Sequence, residues 1–191
     1  MDRRIVWAVA LLLTLPPAQA SEAQAWAALR SGGVVALMRH ASAPGPGGDP
    51  PGFRLDDCAT QRNLDAQGRA DARAVGAKLR AERVRFARVL SSPWCRCVDT
   101  ARLLDAGAVH TEATFSNVVV LADQRAALTA GARRLIEAWA GPGSLLVVTH
   151  GANIFALTDI QPAEGEIVVV RGGPQDDGPL RALGRVPVTV R

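Results

Sequence analysis

Two arginines and two histidines of this sequence stand where apolar segments give way to loops. Arg39 and His40 follow an apolar run, Arg96 follows Ser-Ser-Pro, and His150 precedes Gly151. A guanidinium group can bind two phosphate oxygens through its planar fork, and a neutral imidazole can attack phosphorus as a nucleophile. The set predicts an anion pocket in which a phosphoryl group passes to one of the histidines and then to water. The second imidazole, if protonated, would donate a hydrogen bond to a phosphate oxygen.

The segments around these residues predict the elements that position them. Apolar runs at 34–38, 86–90 and 144–149 are typical of buried strands, and each is followed by a loop or the start of a helix. Parallel strands share one edge at their carboxyl ends, and ligands of α/β proteins bind there. We therefore expect the two arginines and two histidines to meet at that edge.

The rest of the pattern alternates between strands and helices. Helices are predicted at 22–29, 64–83, 95–105, 124–139 and 153–157, and further strands at 166–170, at 118–121 (with helix as the alternative) and around Val186, Val188 and Val190. This alternation predicts an α/β three-layer sandwich, with a mostly parallel central sheet and helices on both faces. The connection at 41–63 is long and rich in Pro and Gly, which is typical of functional loops.

Residues 1–20 have the organisation of a secretory signal peptide. A basic start is followed by an apolar run from Ile5 to Leu15 and by an Ala-x-Ala pattern ending at Ala20. We expect cleavage after Ala20, export to the periplasm or medium, and a single domain over 21–191 with no further membrane span. The alternative is an uncleaved N-terminal membrane anchor.

The composition is that of a globular protein. The 191 residues are 48% hydrophobic and 21% charged, which fits one domain with a substantial core. The formal net charge of +4 is mild, basic and acidic residues are interspersed, and aromatic residues make up only 4%. These features do not indicate a nucleic-acid partner. They are compatible with an anionic substrate.

Three cysteines follow the predicted signal peptide: Cys58, Cys95 and Cys97. Export would place them in an oxidising compartment, which favours a disulfide from Cys58 to either Cys95 or Cys97. Free thiols are one alternative. A zinc site is another, and it would need a fourth ligand such as His150.

Four motifs resemble, in order, the signature blocks of the histidine phosphatase superfamily, whose fold is phosphoglycerate mutase-like. They are Leu37-Met38-Arg39-His40-Ala41, the helix start Leu64–Ala72, Ser91-Ser92-Pro93-Trp94-Cys95-Arg96 with its continuation to Ala101, and Val147-Val148-Thr149-His150-Gly151. The resemblance implies that His40 is the nucleophile and forms a phosphohistidine, and that Arg39, Arg96 and His150 complete the phosphate pocket. It implies no metal or organic cofactor.

Three shorter segments resemble a narrower group within that superfamily. Residues 57–64, 94–97 and 165–167 are similar to small exported members, some of which are lipopolysaccharide core heptose phosphate phosphatases. The resemblance implies a phosphomonoesterase that acts on a small-molecule or glycolipid phosphomonoester, such as a phosphorylated sugar. Arg62, between the long loop and the next helix, is a further candidate ligand for phosphate or another substrate anion.

Four carboxylic acids are candidates for the group that would protonate the leaving oxygen. Glu112 and Asp123 lie in the interval where many superfamily members carry an acid, and Asp49 and Asp57 are further candidates. The resemblance places Asn117 in the slot that the acid usually occupies. A positioned acid contributes roughly 10²–10⁴-fold to the rate, so its absence would favour good leaving groups such as those of phosphohistidine, acyl phosphates and aryl phosphates. A phospho-ligand binding protein with little turnover is therefore the alternative function. A mutase is less consistent with export and with a chain too short for a substrate cap.

Overall fold

The computed structural model describes residues 21–45 and 48–187. The predicted signal peptide and the end of the predicted terminal strand, Val188 and Val190, lie outside the described residues. The helices are α1 (Glu22–Ser31), α2 (Ala66–Ala81), α3 (Cys95–Leu103), α4 (Arg125–Glu137) and α5 (Gly151–Thr158). The strands are β1 (Val34–Arg39), β2 (Phe86–Ser91), β3 (Val109–Thr111), β4 (Ser144–Thr149), β5 (Ile167–Arg171) and β6 (Ala182–Val186). Short 3-10 helices cover Cys58–Thr60, Ala113–Phe115 and Ala122–Gln124.

The strands form one mixed sheet in the order β3-β2-β4-β1-β5-β6. Strands β3, β2, β4 and β1 are parallel to one another, while β5 runs antiparallel to β1 and β6 antiparallel to β5. Helices cover both faces, so the predicted α/β sandwich with a mostly parallel sheet is confirmed. The central strands are buried on both sides, which explains why β1 and β4 are apolar almost throughout.

Alternate residues of β1 enter two separate cores. Val34, Ala36 and Met38 face the core under α1, α2 and α3, whereas Val35 and Leu37 face the core under α4 and α5. This division follows from the two-residue repeat of a strand. The sheet therefore holds the end of β1 rigidly between two packed layers.

Helix α2 lies very close to the chain that leaves β1. The Asp65 side chain caps the helix by accepting a hydrogen bond from the Gly68 N–H at 2.7 Å. A Cβ atom on Gly68 would stand 2.0 Å from the carbonyl oxygen of Ser42, so only glycine permits this approach. The contact fixes the start of the long loop beside the end of β1.

One secondary-structure prediction was wrong, and one short strand was not predicted. The strand predicted at 118–121 is a turn, because the Asn117 side chain accepts the Val119 N–H at 2.9 Å and closes the backbone there. Strand β3, which was not predicted, is only three residues long and exists through its pairing with β2. In the part of the chain that the structure describes, no helix is both long and apolar enough to cross a bilayer.

A disulfide joins Cys58 in the long loop to Cys95 at the start of α3, with the two Cα atoms 5.7 Å apart. Of the two predicted partners for Cys58, the structure selects Cys95. Cys97 is a buried free thiol. Since two of the three cysteines are oxidised, they are not available as thiolate ligands for zinc.

Candidate active site

The polar ends of three strands meet at one edge of the sheet. Arg39 is paired with Thr149, and Ser91 is paired with Val148, so the residues that follow these strands emerge side by side. A cavity of about 330 Å³ opens at this edge. It is lined by Arg39, His40, Gly48, Arg62, Arg96, Asn117, Val119, Val120, His150, Gly151, Ala152 and Gln161.

His40 is held with one ring nitrogen free. Its Nδ1 lies 2.8 Å from the Ala41 carbonyl oxygen, which can only accept, so Nδ1 carries the hydrogen. Within the described residues Nε2 has no hydrogen-bond partner, and its lone pair is available in the neutral ring. Burial, reinforced by Arg96 and Arg39 and only partly offset by the Ala41 hydrogen bond, lowers the pKa of His40 to about 3. The ring is therefore unprotonated and held in one orientation at neutral pH, and its Nε2 lone pair could act as a nucleophile.

His150 lies beside His40 with both ring nitrogens engaged. Arg96 Nη2 donates to Nδ1 at 3.4 Å, so Nε2 carries the hydrogen and donates to Ser92 Oγ at 2.9 Å. Burial lowers the pKa of His150 well below its ordinary value, and Arg96 and His40 add to the effect. In this arrangement His150 is neutral, and its N–H points to Ser92.

The terminal nitrogens of Arg39 and Arg62 donate hydrogen bonds to neighbouring groups. Arg39 donates to the Pro162 carbonyl at 3.1 Å and to the Glu164 carboxylate at 3.2 Å. Arg62 donates to the Ala43 carbonyl at 2.5 Å. The Nε atom of each guanidinium is buried and has no partner among the described residues. Each of these cavity-lining arginines therefore keeps at least its buried Nε–H without a partner among the described residues.

Arg96 is fully buried, and its terminal nitrogens make more hydrogen bonds than those of Arg39 and Arg62. Its Nη1 donates to Asp49 Oδ1 at 2.7 Å and to the Arg62 carbonyl at 3.3 Å. Its Nη2 donates to Asp49 Oδ2 at 3.3 Å and to His150. All four terminal hydrogens are thus used, and only the buried Nε is left without a partner in the described chain.

Glycine at position 151 allows the Arg39 side chain to pass the start of α5. A Cβ atom there would stand 3.2 Å from Arg39 Cδ, 3.4 Å from Arg39 Nε and 2.8 Å from Gln161 Nε2. The motif His150-Gly151 thus supplies both an imidazole and the space for a neighbouring arginine. Gln161 is exposed at the mouth of the cavity.

The structure brings together five of the residues predicted for the site: Arg39, His40, Arg62, Arg96 and His150. The two candidate acids lie elsewhere. Glu112 accepts hydrogen bonds from the Thr114 N–H and hydroxyl, and these lower its pKa. Asp123 is exposed in a 3-10 helix. Among the described residues that line the cavity, none is an aspartate or a glutamate.

Several residues of the cavity wall carried no clear signal in the sequence. Val119 and Val120 belong to the segment that had been predicted as a strand, and Val119 is 56% exposed. Gln161 follows a helix in an irregular segment and matched no motif. Asn117, the residue in the slot where an acid was expected, does line the cavity, but an amide has no acidic proton to give.

Cys97 packs against His150, with Sγ 3.7 Å from Nε2. Burial raises the pKa of this thiol to about 12, because the thiolate would be poorly solvated. Cys97 is therefore protonated at neutral pH and unsuited to act as a nucleophile. Trp94 also packs on His150, edge to face with ring centroids 5.4 Å apart.

Part of this chain, including residues that line the cavity, matches the model of a known protein family. The model of the histidine phosphatase superfamily (branch 1) matches residues 35–118, which include Arg39, His40, Arg62 and Arg96. No curated protein sequence matches the chain.

Solved structures share the fold at low sequence identity. The protein histidine phosphatase SixA complexed with tungstate is 20% identical with a TM-score of 0.54, over 81% of this chain and 96% of its own. The mycobacterial glucosyl-3-phosphoglycerate phosphatase Rv2419c in complex with VO3 is 16% identical with a TM-score of 0.55, over 78% and 96%. A proposed α-ribazole-5′-P phosphatase of Escherichia coli K-12 is 16% identical with a TM-score of 0.58, over 84% and 100%. The chain is thus similar to the histidine phosphatase superfamily over residues 35–118, and it shares the fold of these solved structures.

Proposed function

We propose that this protein is an exported phosphomonoesterase that works through a phosphohistidine on His40. The observation that carries the proposal is the arrangement of free groups around the cavity. Three buried arginine Nε–H groups lack partners in the described chain, and the residues that carry them line the same cavity as His40, whose Nε2 has no hydrogen-bond partner among the described residues. Unpaired buried donors are costly, so the pocket is suited to an oxyanion that would satisfy them.

Arg62 adds an electrostatic argument for an anion. Burial lowers the pKa of Arg62, and repulsion from Arg96 lowers it further. The pocket thus concentrates three guanidinium groups whose charge is only partly balanced by Asp49 and Glu164. A bound phosphate would relieve that repulsion.

The reaction would proceed in two displacements. In the first, the Nε2 lone pair of His40 attacks phosphorus, the bond from phosphorus to the leaving oxygen breaks, and the leaving group departs with that electron pair. In the second, water attacks the phosphohistidine, the P–N bond breaks, and inorganic phosphate leaves a neutral His40. Arg39, Arg62 and Arg96 would hold the non-bridging oxygens, since positioning and charge stabilisation supply most of the acceleration in phosphoryl transfer.

The leaving oxygen needs a proton before or after it departs. Glu112 and Asp123 remain the candidates for this role that the sequence supplies. Water is the alternative source if neither approaches the substrate, and good leaving groups would then react fastest. The substrate series in the Discussion distinguishes these cases.

The proposed substrate is a phosphorylated sugar or an envelope glycolipid. The predicted signal peptide and the resemblance to exported heptose phosphate phosphatases support this class. A panel of phosphosugars, phosphorylated glycolipid, phosphohistidine protein and nucleotides tests it, and we expect the highest kcat/KM on a sugar or glycolipid phosphate. Equal or better turnover of phosphohistidine protein would overturn the assignment. Export is tested by fractionating cells and sequencing the mature N-terminus, which we expect to be Ser21.

The mechanism is tested by trapping the intermediate. Acid quench of the purified protein with ³²P-labelled aryl phosphate should be followed at once by neutralisation and gel analysis. We expect a phosphoprotein that is stable in base, labile in acid, and absent from His40→Asn. His110→Asn is the matched control, because His110 is exposed on β3 and does not line the cavity. Turnover that survives in His40→Asn would overturn the mechanism.

A phospho-ligand binding protein with little turnover is the second candidate. It is favoured by the full engagement of the terminal nitrogens of Arg96 and by the absence of a carboxylate from the described cavity wall. Calorimetry with inorganic phosphate separates the two functions. Tight binding that is lost in Arg39→Ala, with no turnover of any phosphomonoester in the panel, would support binding alone.

A further inference from the structure

Asp49, in the middle of the long loop, is nearly inaccessible to solvent although it is charged. Its side chain is 1% exposed, as is that of Arg96, its partner in the ion pair. Both carboxylate oxygens contact Arg96, at 2.7 and 3.3 Å, in a two-pronged pair. Such a pair fixes the plane of a guanidinium group as well as its position.

Two further hydrogen bonds fix the carboxylate itself. The backbone N–H of Arg62 donates to Oδ1 at 3.0 Å, and the indole N–H of Trp94 donates to Oδ2 at 3.0 Å. Burial opposes the charged form, but the hydrogen bonds from Arg96 and from the Arg62 backbone outweigh it and leave the pKa of Asp49 below its ordinary value. Asp49 is therefore an ionised acceptor and is poorly suited to donate a proton.

This pairing decides what Arg96 can offer to a ligand. With Nη1 and Nη2 occupied by Asp49, by the Arg62 carbonyl and by His150, only the Nε–H of Arg96 is left without a partner among the described residues. The carboxylate also cancels one positive charge within the pocket. An arginine without this partner would present its whole fork and a full charge to phosphate, and would be free to turn.

We propose that Asp49 is a positioning residue of the phosphate pocket, which holds Arg96 in one orientation and limits how tightly the pocket binds inorganic phosphate. The inference rests on the proposed function, since it assumes that the cavity binds a phosphoryl group. Inorganic phosphate would therefore leave this pocket more readily than a pocket in which no carboxylate neutralises the charge of Arg96.

The test compares Asp49→Asn with the wild type in two measurements. Calorimetry with inorganic phosphate and with tungstate gives the affinity, and steady-state hydrolysis of an aryl phosphate gives kcat and KM. We expect Asp49→Asn to bind phosphate about tenfold more tightly, because a buried negative charge near the anion is removed. We expect kcat to fall by about tenfold or more, because Arg96 is no longer held in one orientation.

Matched variants separate positioning from general effects. Asp56→Asn removes the same charge from the same loop at an 85% exposed side chain, and should leave affinity and kcat within about twofold. Trp94→Phe removes one of the hydrogen bonds to Asp49 while keeping an aromatic ring. It should shift both quantities in the same directions by a smaller factor, and it keeps the proposal testable if Asp49→Asn does not fold.

The results of these measurements distinguish failure of this inference from failure of the proposed function. Unchanged or weaker phosphate binding in folded Asp49→Asn, or in Trp94→Phe if Asp49→Asn does not fold, would show a purely structural role and overturn the inference while leaving the proposed function intact. Tighter binding together with a lower kcat supports the inference. If the wild type has no turnover and Asp49→Asn binds phosphate more tightly, the effect of Asp49 on phosphate affinity is supported and the binding-protein alternative is favoured. A wild type that binds neither phosphate nor tungstate would overturn the proposed function and this inference together.

Discussion

The rings of His40 and His150 meet edge to face, with centroids 5.7 Å apart and planes inclined by 71°. Both are buried and neutral, because protonating either would place a charge in a poorly solvated pocket beside arginines. An unprotonated His40 is in the state that the proposed nucleophile needs at neutral pH. The two buried imidazoles also make the folded state sensitive to acid.

We predict that the free energy of unfolding falls as pH is lowered from about 6.5, the ordinary pKa of histidine. Between that value and the folded pKa of His40, about 3, the unfolded chain binds a proton that the folded protein does not. Each such histidine lowers stability by up to roughly 1.4 kcal/mol per pH unit. Urea unfolding at pH 7, 6 and 5 should show a shallower dependence in His40→Asn and an unchanged one in His110→Asn. Parallel curves for His40→Asn and wild type would contradict the prediction.

We predict that turnover depends steeply on the leaving group. Since no described residue of the cavity wall is a carboxylate, an alkoxide would leave without a positioned acid. A series of aryl and alkyl phosphates should show kcat falling as the leaving-group pKa rises, while Glu112→Gln and Asp123→Asn stay within about threefold of wild type. A flat series, with a loss of roughly 10²–10⁴-fold in one of these variants, would instead identify that residue as the proton donor.

We predict that Gly151→Ala impairs activity while leaving the fold intact. The added Cβ would stand 3.2 Å from Arg39 Cδ and 2.8 Å from Gln161 Nε2, so both side chains must shift. A displacement of this size at Arg39 should lower kcat/KM by about 10–100-fold, with little change in Tm. Gln161→Ala and the double variant are the controls. Recovery of activity in the double variant would show that Gln161, and not Arg39, causes the loss.

We predict that reduction of the Cys58–Cys95 disulfide destabilises the protein. The bridge spans 37 residues, and closing a loop of that size contributes roughly 2–4 kcal/mol. Addition of dithiothreitol should lower Tm by on the order of 5–15 °C. KM should rise as well, because Cys95 directly precedes Arg96. Cys97→Ala, which keeps the bridge, should show the same drop on reduction. Equal melting temperatures for the oxidised and reduced protein would contradict the prediction.

Much of the site could be predicted from the sequence because it lies at strand ends. Apolar runs mark β1, β2 and β4, and parallel strands must bring their carboxyl ends to one edge. That rule alone places Arg39-His40 near His150, and the four motifs add Arg96. The turn at 118–121 could not be predicted, because apolar residues there resemble a strand until the Asn117 side chain closes the backbone.

The sequence by itself determined the fold class, the edge of the sheet where chemistry would occur, and the side chains that meet there. It did so because these features depend on local hydrophobic periodicity and on short motifs. The tertiary structure alone decided that Cys58 pairs with Cys95, that Asp49 pairs with Arg96, and that Glu112 and Asp123 lie away from the described cavity wall. The first two outcomes depend on the path of the long loop at 41–63, and the third depends on the irregular segment that follows β3. Such a path is set by contacts between residues far apart in the chain.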